Sequence, residues 1–203
     1  MSNLTQAPSE TAANDQLRFV PKRDKIVEGM LLLVEQAGAE ATTLNVESAM
    51  MAMFLADKSH LDDYGRPVSF DNYIAAKIGP RGEAVSGMLG AGCDWSTLGV
   101  GEKPWSVELT EGERRLHANR KANRRRLSET DVEHLTEALA IVIRLSDDEL
   151  RQMALEQPAY AAAWLAGEGT RLDPRLIPDD RDDELIYDLV RVSQHAFMAP
   201  YRS

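Results

Sequence analysis

The chain has 203 residues, of which 43% are hydrophobic, and a formal net charge of −10 from 33 acidic and 23 basic side chains. That length suffices to bury roughly 70% of the unfolded surface in a core, while a lone Cys93 excludes an internal disulfide and four histidines without cysteine partners exclude zinc-finger sites. The acidic balance opposes nucleic acid and anionic lipid as general partners, and no apolar run reaches the roughly 18 residues of a membrane helix.

Residues 1–20 are rich in Ser, Thr, Ala, Asn and Gln and have too little to bury, so they read as a flexible leader. They have neither the basic start nor the apolar run of a secretory signal, and the expected location is the cytoplasm. From Arg23, apolar residues at helical spacing (Ile26, Met30, Leu33, Val34) predict a first helix that stops near Gly38. Asn45 is placed to cap a second helix, whose apolar stripe runs through Val46, Met50, Met53, Phe54, Leu61 and Tyr64 before Gly65 ends it. Asp57 falls on that stripe with His60 one turn on, so a partly buried carboxylate in need of partners is expected.

Tyr73 to Ile78 has the β-branched and aromatic content of a short strand closed by Gly79-Pro80. A short helix over 83–89 and a loop containing Gly90, Gly92, Gly99 and Gly101 follow. Trp105, Val107 and Leu109 alternate with polar residues as in a half-buried strand, and the two strands are expected to pair. Thr110 is read as the cap of a basic helix from Glu111. Two Ser-x-x-acid capping boxes, Ser128 with Asp131 and Ser146 with Glu149, predict helices from 129 and 147, and a third short helix covers 159–165. Beyond Gly167, prolines and acids mark a linker. The stripe Leu185, Ile186, Leu189, Val192, Ala196 and Phe197 then predicts an amphipathic helix able to dock on its own domain or on a partner. The fold class is therefore mainly α (α+β), with a small two- or three-stranded β element and a C-terminal helical tail. The divisions are 1–20, 21–166 and 167–203.

Two constellations carry candidate chemistry. Asp57, His60, Asp62 and Asp63 have the donor types of a divalent-metal or acid-base site, but helical geometry puts Asp57 and His60 on one face and the other two elsewhere, which favours a structural Asp57. No GxSxG, GxxxxGK[ST] or HExxH is present, and Cys93 has no neighbouring base in sequence, so neither catalysis nor a cofactor or metal is expected. The second constellation is residues 113–126, whose seven basic groups and one acid give +6 and leave −16 for the rest of the chain (−10 less +6). On a helix, Arg114, Arg120, Arg124 and Arg125 would spread around the circumference, either solvated or facing an acidic partner. A strand leading into a basic helix also suggests a winged-helix DNA-binding regulator, an alternative opposed by the acidity of the remaining chain.

The stretch FLADKSHLDDYGRPVSFDNYIAAKIGP, Phe54 to Pro80, resembles the signature of the Panacea domain of SocA-type antitoxins. Phe54, Ala56, Asp57, His60, Leu61, Gly65, Arg66, Pro67, Tyr73, Ala75, Gly79 and Pro80 stand at the matching places, and LSETDVEHL and LSDDEL…PAYAAAW are similar to later segments of the family. The resemblance covers about residues 24–165. It departs at Arg81-Gly82, where the family has Val-Pro, and at a histidine missing near Ala154 and Leu155. It implies an antitoxin that binds and neutralises a co-encoded toxin protein without chemistry of its own, and in SocA-type members an adaptor that delivers the toxin to the ClpXP protease. Within the motif, Asp57 and Arg66 are expected to join the helix to the next turn by a charge-assisted bond. His60 is expected to act likewise and Tyr73 to pack over them, while Pro67 and Gly79-Pro80 shape the turns.

Overall fold

A computed structural model describes residues 17–90, 92–96 and 102–198, with side chains described as far as Gln194. Residues 1–16 of the expected leader and the loop glycines Gly99 and Gly101 lie outside the described residues. Helix α1 (Arg23–Ala39) buries Ile26, Val27, Met30 and Leu31 to Leu33. Helix α2 (Val46–Tyr64) starts where the Asn45 side chain accepts a hydrogen bond from Ser48 N at 2.6 Å, and it stops at Gly65, whose φ of +65° is the left-handed stop that favours glycine. It is sheathed on nearly all sides, since Val46 and every residue from Ser48 to Phe54 are buried between α1, β2 and the later helices. The expected one-sided stripe is thus too narrow a description, and Tyr64, assigned to that stripe, is 53% exposed.

Strand β1 (Tyr73–Ala75) pairs antiparallel with β2 (Pro80–Gly82), and helix α3 (Glu83–Leu89) follows at once. Strands β3 (Trp105–Thr110) and β4 (Glu113–Ala118) form a separate hairpin. The two predicted strands therefore do not pair with each other; each finds its partner next to it in sequence, where the loop to be closed is short. Helix α4 (Glu129–Val142) lies along α2, and α5 (Asp147–Leu155) and α6 (Pro158–Ala166) complete the layer. Both capping boxes form as expected, and Pro158 opens α6 at a position where its missing N–H costs nothing.

Residues 169–172 run along the free edge of β1: Gly169 N donates to Ala75 O (2.7 Å), Ala75 N to Thr170 O (2.8 Å) and Leu172 N to Tyr73 O (2.9 Å). Helix α7 (Asp183–Met198) docks on its own domain through Ile186 and Val190, and Ser193 Oγ accepts a bond from Val20 N at 3.1 Å. Leu17 and Phe19, assigned to the flexible leader, are instead buried in the same core, and the Phe19 backbone bonds the Asn72 side chain, so the ordered domain begins before residue 21. The architecture is mainly helical with a small β component. Among the described residues no helix is long and apolar enough to cross a membrane.

Candidate functional site

The segment between α2 and β1 folds back on α2 through Asp57, which is 2% exposed. Its Oδ1 accepts from Ser69 N at 2.7 Å, and its Oδ2 accepts from Ser69 Oγ and from Tyr73 Oη, the latter at 2.8 Å. Burial pushes the Asp57 carboxyl up to about 6, and the bonds from Ser69 and Tyr73 keep it from rising further. Burial, with Asp57 beside it, raises the Tyr73 phenol well above its ordinary value, so it remains a donor. The Tyr73 ring meets the Phe54 ring edge-on at 5.1 Å. The expected join between helix and turn is present, but the partner is Ser69 rather than Arg66.

Arg66 turns instead to α4. Its Nη1 and Nη2 both lie 3.3 Å from Asp131 Oδ1, while Asp131 Oδ2 accepts from Lys25 Nζ and, at 2.8 Å, from Ser128 N. Burial alone would raise the Asp131 carboxyl; Lys25 and the Ser128 donors outweigh it and hold it below the usual range. Asp131 thus closes the capping box of α4 and also ties α1 and the Arg66 turn to it, a role that the Ser-x-x-Asp spacing alone does not reveal. His60, fully buried, bonds through Nδ1 to Arg66 O (2.8 Å) and through Nε2 to Thr130 Oγ1 (3.0 Å). Burial lowers its proton affinity. The neutral ring therefore carries its proton on Nδ1, facing the carbonyl, and Nε2 accepts from the threonine. His60 thus anchors the turn through neutral hydrogen bonds, not the charge-assisted bond expected of it.

The four residues with the donor types of a metal or acid-base site are divided among separate tasks. Asp62 pairs with Lys58 (3.0 Å) and accepts from Asp179 N, while Asp63 lies 3.5 Å from His134. Asp57 and His60 each have the partners described above. Among the described residues no group of three or more His, Cys, Asp and Glu side chains could hold a metal ion. Cys93 is a free, half-buried thiol.

The expected basic helix from Glu111 does not form. Glu111 and Gly112 take φ of +54° and +87°, the left-handed pair of a tight hairpin turn, and the chain returns as β4. The recognition helix of a winged-helix regulator is therefore missing at this place. The basic residues also part company. Arg114 stands 3.9 Å from Glu47, and Arg120 clamps Glu28 with both terminal nitrogens at 2.7 and 2.8 Å. Arg124 and Arg125 remain exposed on a single 3-10 turn.

Pro67 sits between the Arg66 anchor and fully buried Val68, where a fixed φ suits the chain reversal. Ala76 N donates to Gly79 O (3.2 Å) to close the β1–β2 turn. A Cβ on Gly79 would come within 2.9 Å of Met51 Cε, so glycine allows this turn to lie on α2. Buried Pro80 begins β2, and a cleft of about 160 Å³ opens over the pair between Met50, Met51, Ile78 and Pro80.

The Arg81-Gly82 departure has a local reason. Asp71 caps α3 by accepting from Ala84 N (2.9 Å) and Val85 N (3.1 Å), and a Cβ at Gly82 would collide with Asp71 Oδ2. Gly82→Ala is expected to cost about 1–2 kcal/mol, the worth of a helix cap, read as a lower urea midpoint with an unchanged slope.

Asp57, His60, Arg66 and Tyr73 of the 54–80 motif thus fix the turn after α2 and strand β1 onto a buried helix and its neighbour α4. That defines a helical domain whose signature residues shape a surface. Residues 51–160, more than half of the chain, match the SocA-like antitoxin family, Panacea domain, and the protein belongs to that family. No curated protein and no solved structure matches the chain.

Proposed function

We propose that the protein is an antitoxin that binds a co-encoded toxin protein and neutralises it by binding rather than by catalysis. The observation that carries this reading is the family match over 51–160, within which Asp57 and Tyr73 tie β1 to α2 while His60 and Arg66 tie the turn after α2 to α4. The reading carries with it a cytoplasmic location and two macromolecular partners, the toxin and, in the adaptor form, ClpX of the ClpXP protease.

Co-expression with the product of the adjacent open reading frame tests it. The neighbour alone should arrest growth, the pair should grow, and the two should elute as one complex from a sizing column. A harmless neighbour, or the absence of a complex, would overturn the reading. In the same strain the adaptor form predicts a toxin half-life lengthened several-fold when this protein or ClpX is deleted; an unchanged half-life confines the mechanism to direct neutralisation.

A further inference from the structure

We propose that the cleft over Gly79–Pro80 seats an extended protein segment that lays one aliphatic or aromatic side chain on Met50, Met51 and Ile78 and turns carboxylates toward Lys77 and Arg81. The inference rests on the antitoxin reading for the source of that segment, the toxin. The cleft is of a size to take a single large side chain, since a cavity of about 150 Å³ admits benzene. Its floor is made by α2 and the β1–β2 turn, the two parts that the buried network locks together, so the site is preformed.

Charge on the rim selects the partner. The neighbouring arginines are already committed, Arg114 to Glu47 at 3.9 Å and Arg171 to Glu83 at 3.4 Å. Lys77 and Arg81 are exposed and face no carboxylate within ion-pair distance among the described residues. On a chain of net charge −10, two free cations beside an apolar floor attract an acidic segment locally and set its orientation. Glu47, paired with Arg114, and Glu168 also line the cleft and disfavour an acid on their own side.

Beside cleft-lining Arg114, the β3–β4 hairpin offers one more exposed apolar residue. Leu109 lies directly across from Arg114 in the ladder, on the same face, and is 73% exposed. A segment longer than the cleft can therefore cover Leu109 as it leaves.

Two arms decide the matter. In the first, a phage-displayed library of random dodecapeptides is selected on the full chain. Enriched peptides should place a large apolar residue beside Asp or Glu, and they should bind the double reversal Lys77→Glu/Arg81→Glu at least tenfold more weakly. A second double reversal, Arg124→Glu/Arg125→Glu, exposed but outside the cleft, should bind them unchanged. Peptides without acids, or equal binding to the first reversal, overturn the proposal. Both reversals are exposed and should leave the circular dichroism and melting temperature at the wild-type values.

The second arm is growth protection against the adjacent gene product. Protection by the wild type but not by Lys77→Glu/Arg81→Glu identifies the toxin as the occupant, and equal protection by both removes the cleft from toxin binding while leaving the antitoxin reading intact. If the wild type itself fails to protect, the antitoxin reading falls, and the peptide arm still decides what the cleft binds.

Discussion

Replacing Asp131 with alanine is expected to lower the unfolding free energy by about 3 kcal/mol, at the lower end of the 3–5 kcal/mol range for removing one partner of a buried ion pair. The carboxylate is fully buried and faces Lys25, Arg66 and the Ser128 N–H, with His60 Nε2 at 3.4 Å. Its removal strands two cations and breaks the half of the α4 capping box in which Ser128 N donates to the carboxylate, while the Ser128 hydroxyl still caps the helix. The lower end applies because the Lys25 and Arg66 side chains retain 17% and 32% exposure and so recover part of their hydration. Asp131→Asn keeps an acceptor for Ser128 N and loses the charge, so it should fall between wild type and alanine. Urea denaturation at pH 7 measures all three. An alanine variant within 1 kcal/mol of wild type would show that the junction contributes little.

That junction also explains how two separated parts of the family signature depend on each other. Arg66 stands in the first motif and Asp131 in LSETD, 65 residues later, and the pair brings the turn after α2 onto the first turn of α4. Sequence spacing identified each residue's local setting, Arg66 before a proline and Asp131 in a capping box, because caps and turns are decided within three or four residues. It assigned Arg66 to Asp57, the nearer acid, because nothing local distinguishes a partner nine residues away from one 65 residues away.

The same distinction between local and distant information separates the other outcomes. Asn45, Gly65, Ser128 and Ser146 mark helix ends by their own chemistry, and each does so in the structure. Thr110, a residue type that caps helices, points to a helix from Glu111, although Trp105 to Ala118 also reads as two alternating runs around Glu111-Gly112. Glu-Gly is a weaker hairpin signal than Asn-Gly or Asp-Gly, and Glu111 accepts a φ of +54° in the turn. Strand β2 has three residues and begins at a proline, so no periodicity could mark it. The cleft was legible only as the turn pair Gly79-Pro80. Its floor depends on Met50 and Met51 facing that turn, which the pairing of β1 with β2 decides.

The Asp57 carboxyl makes the stability of this turn pH-dependent in a direction opposite to that of an ordinary paired acid. In the folded protein it titrates near 6 because burial disfavours the charge, whereas in the unfolded chain it titrates near 4. Below pH 4 both states hold the proton and the group is neutral in its effect. Between 4 and 6 the unfolded chain ionises first and is favoured, so stability falls as the pH rises, by roughly 3 kcal/mol in all at 1.36 kcal/mol per pH unit. Other carboxylates also differ between the folded and unfolded states, Asp71 raised by burial and Asp131 held low by Lys25 and the Ser128 donors against burial, so the comparison that isolates Asp57 is with Asp57→Asn. The amide cannot ionise, and it can still accept from Ser69 N through its oxygen. The stability of wild type minus that of Asp57→Asn should therefore decrease by roughly 3 kcal/mol from pH 4 to pH 7, measured by urea denaturation at each pH. A difference that stays flat, or that rises with pH, would mean that Ser69 and Tyr73 stabilise the carboxylate more than burial penalises it. Tyr73→Phe separates those contributions: it removes the donor at 2.8 Å and should push the Asp57 titration higher still, extending the loss of stability to a higher pH.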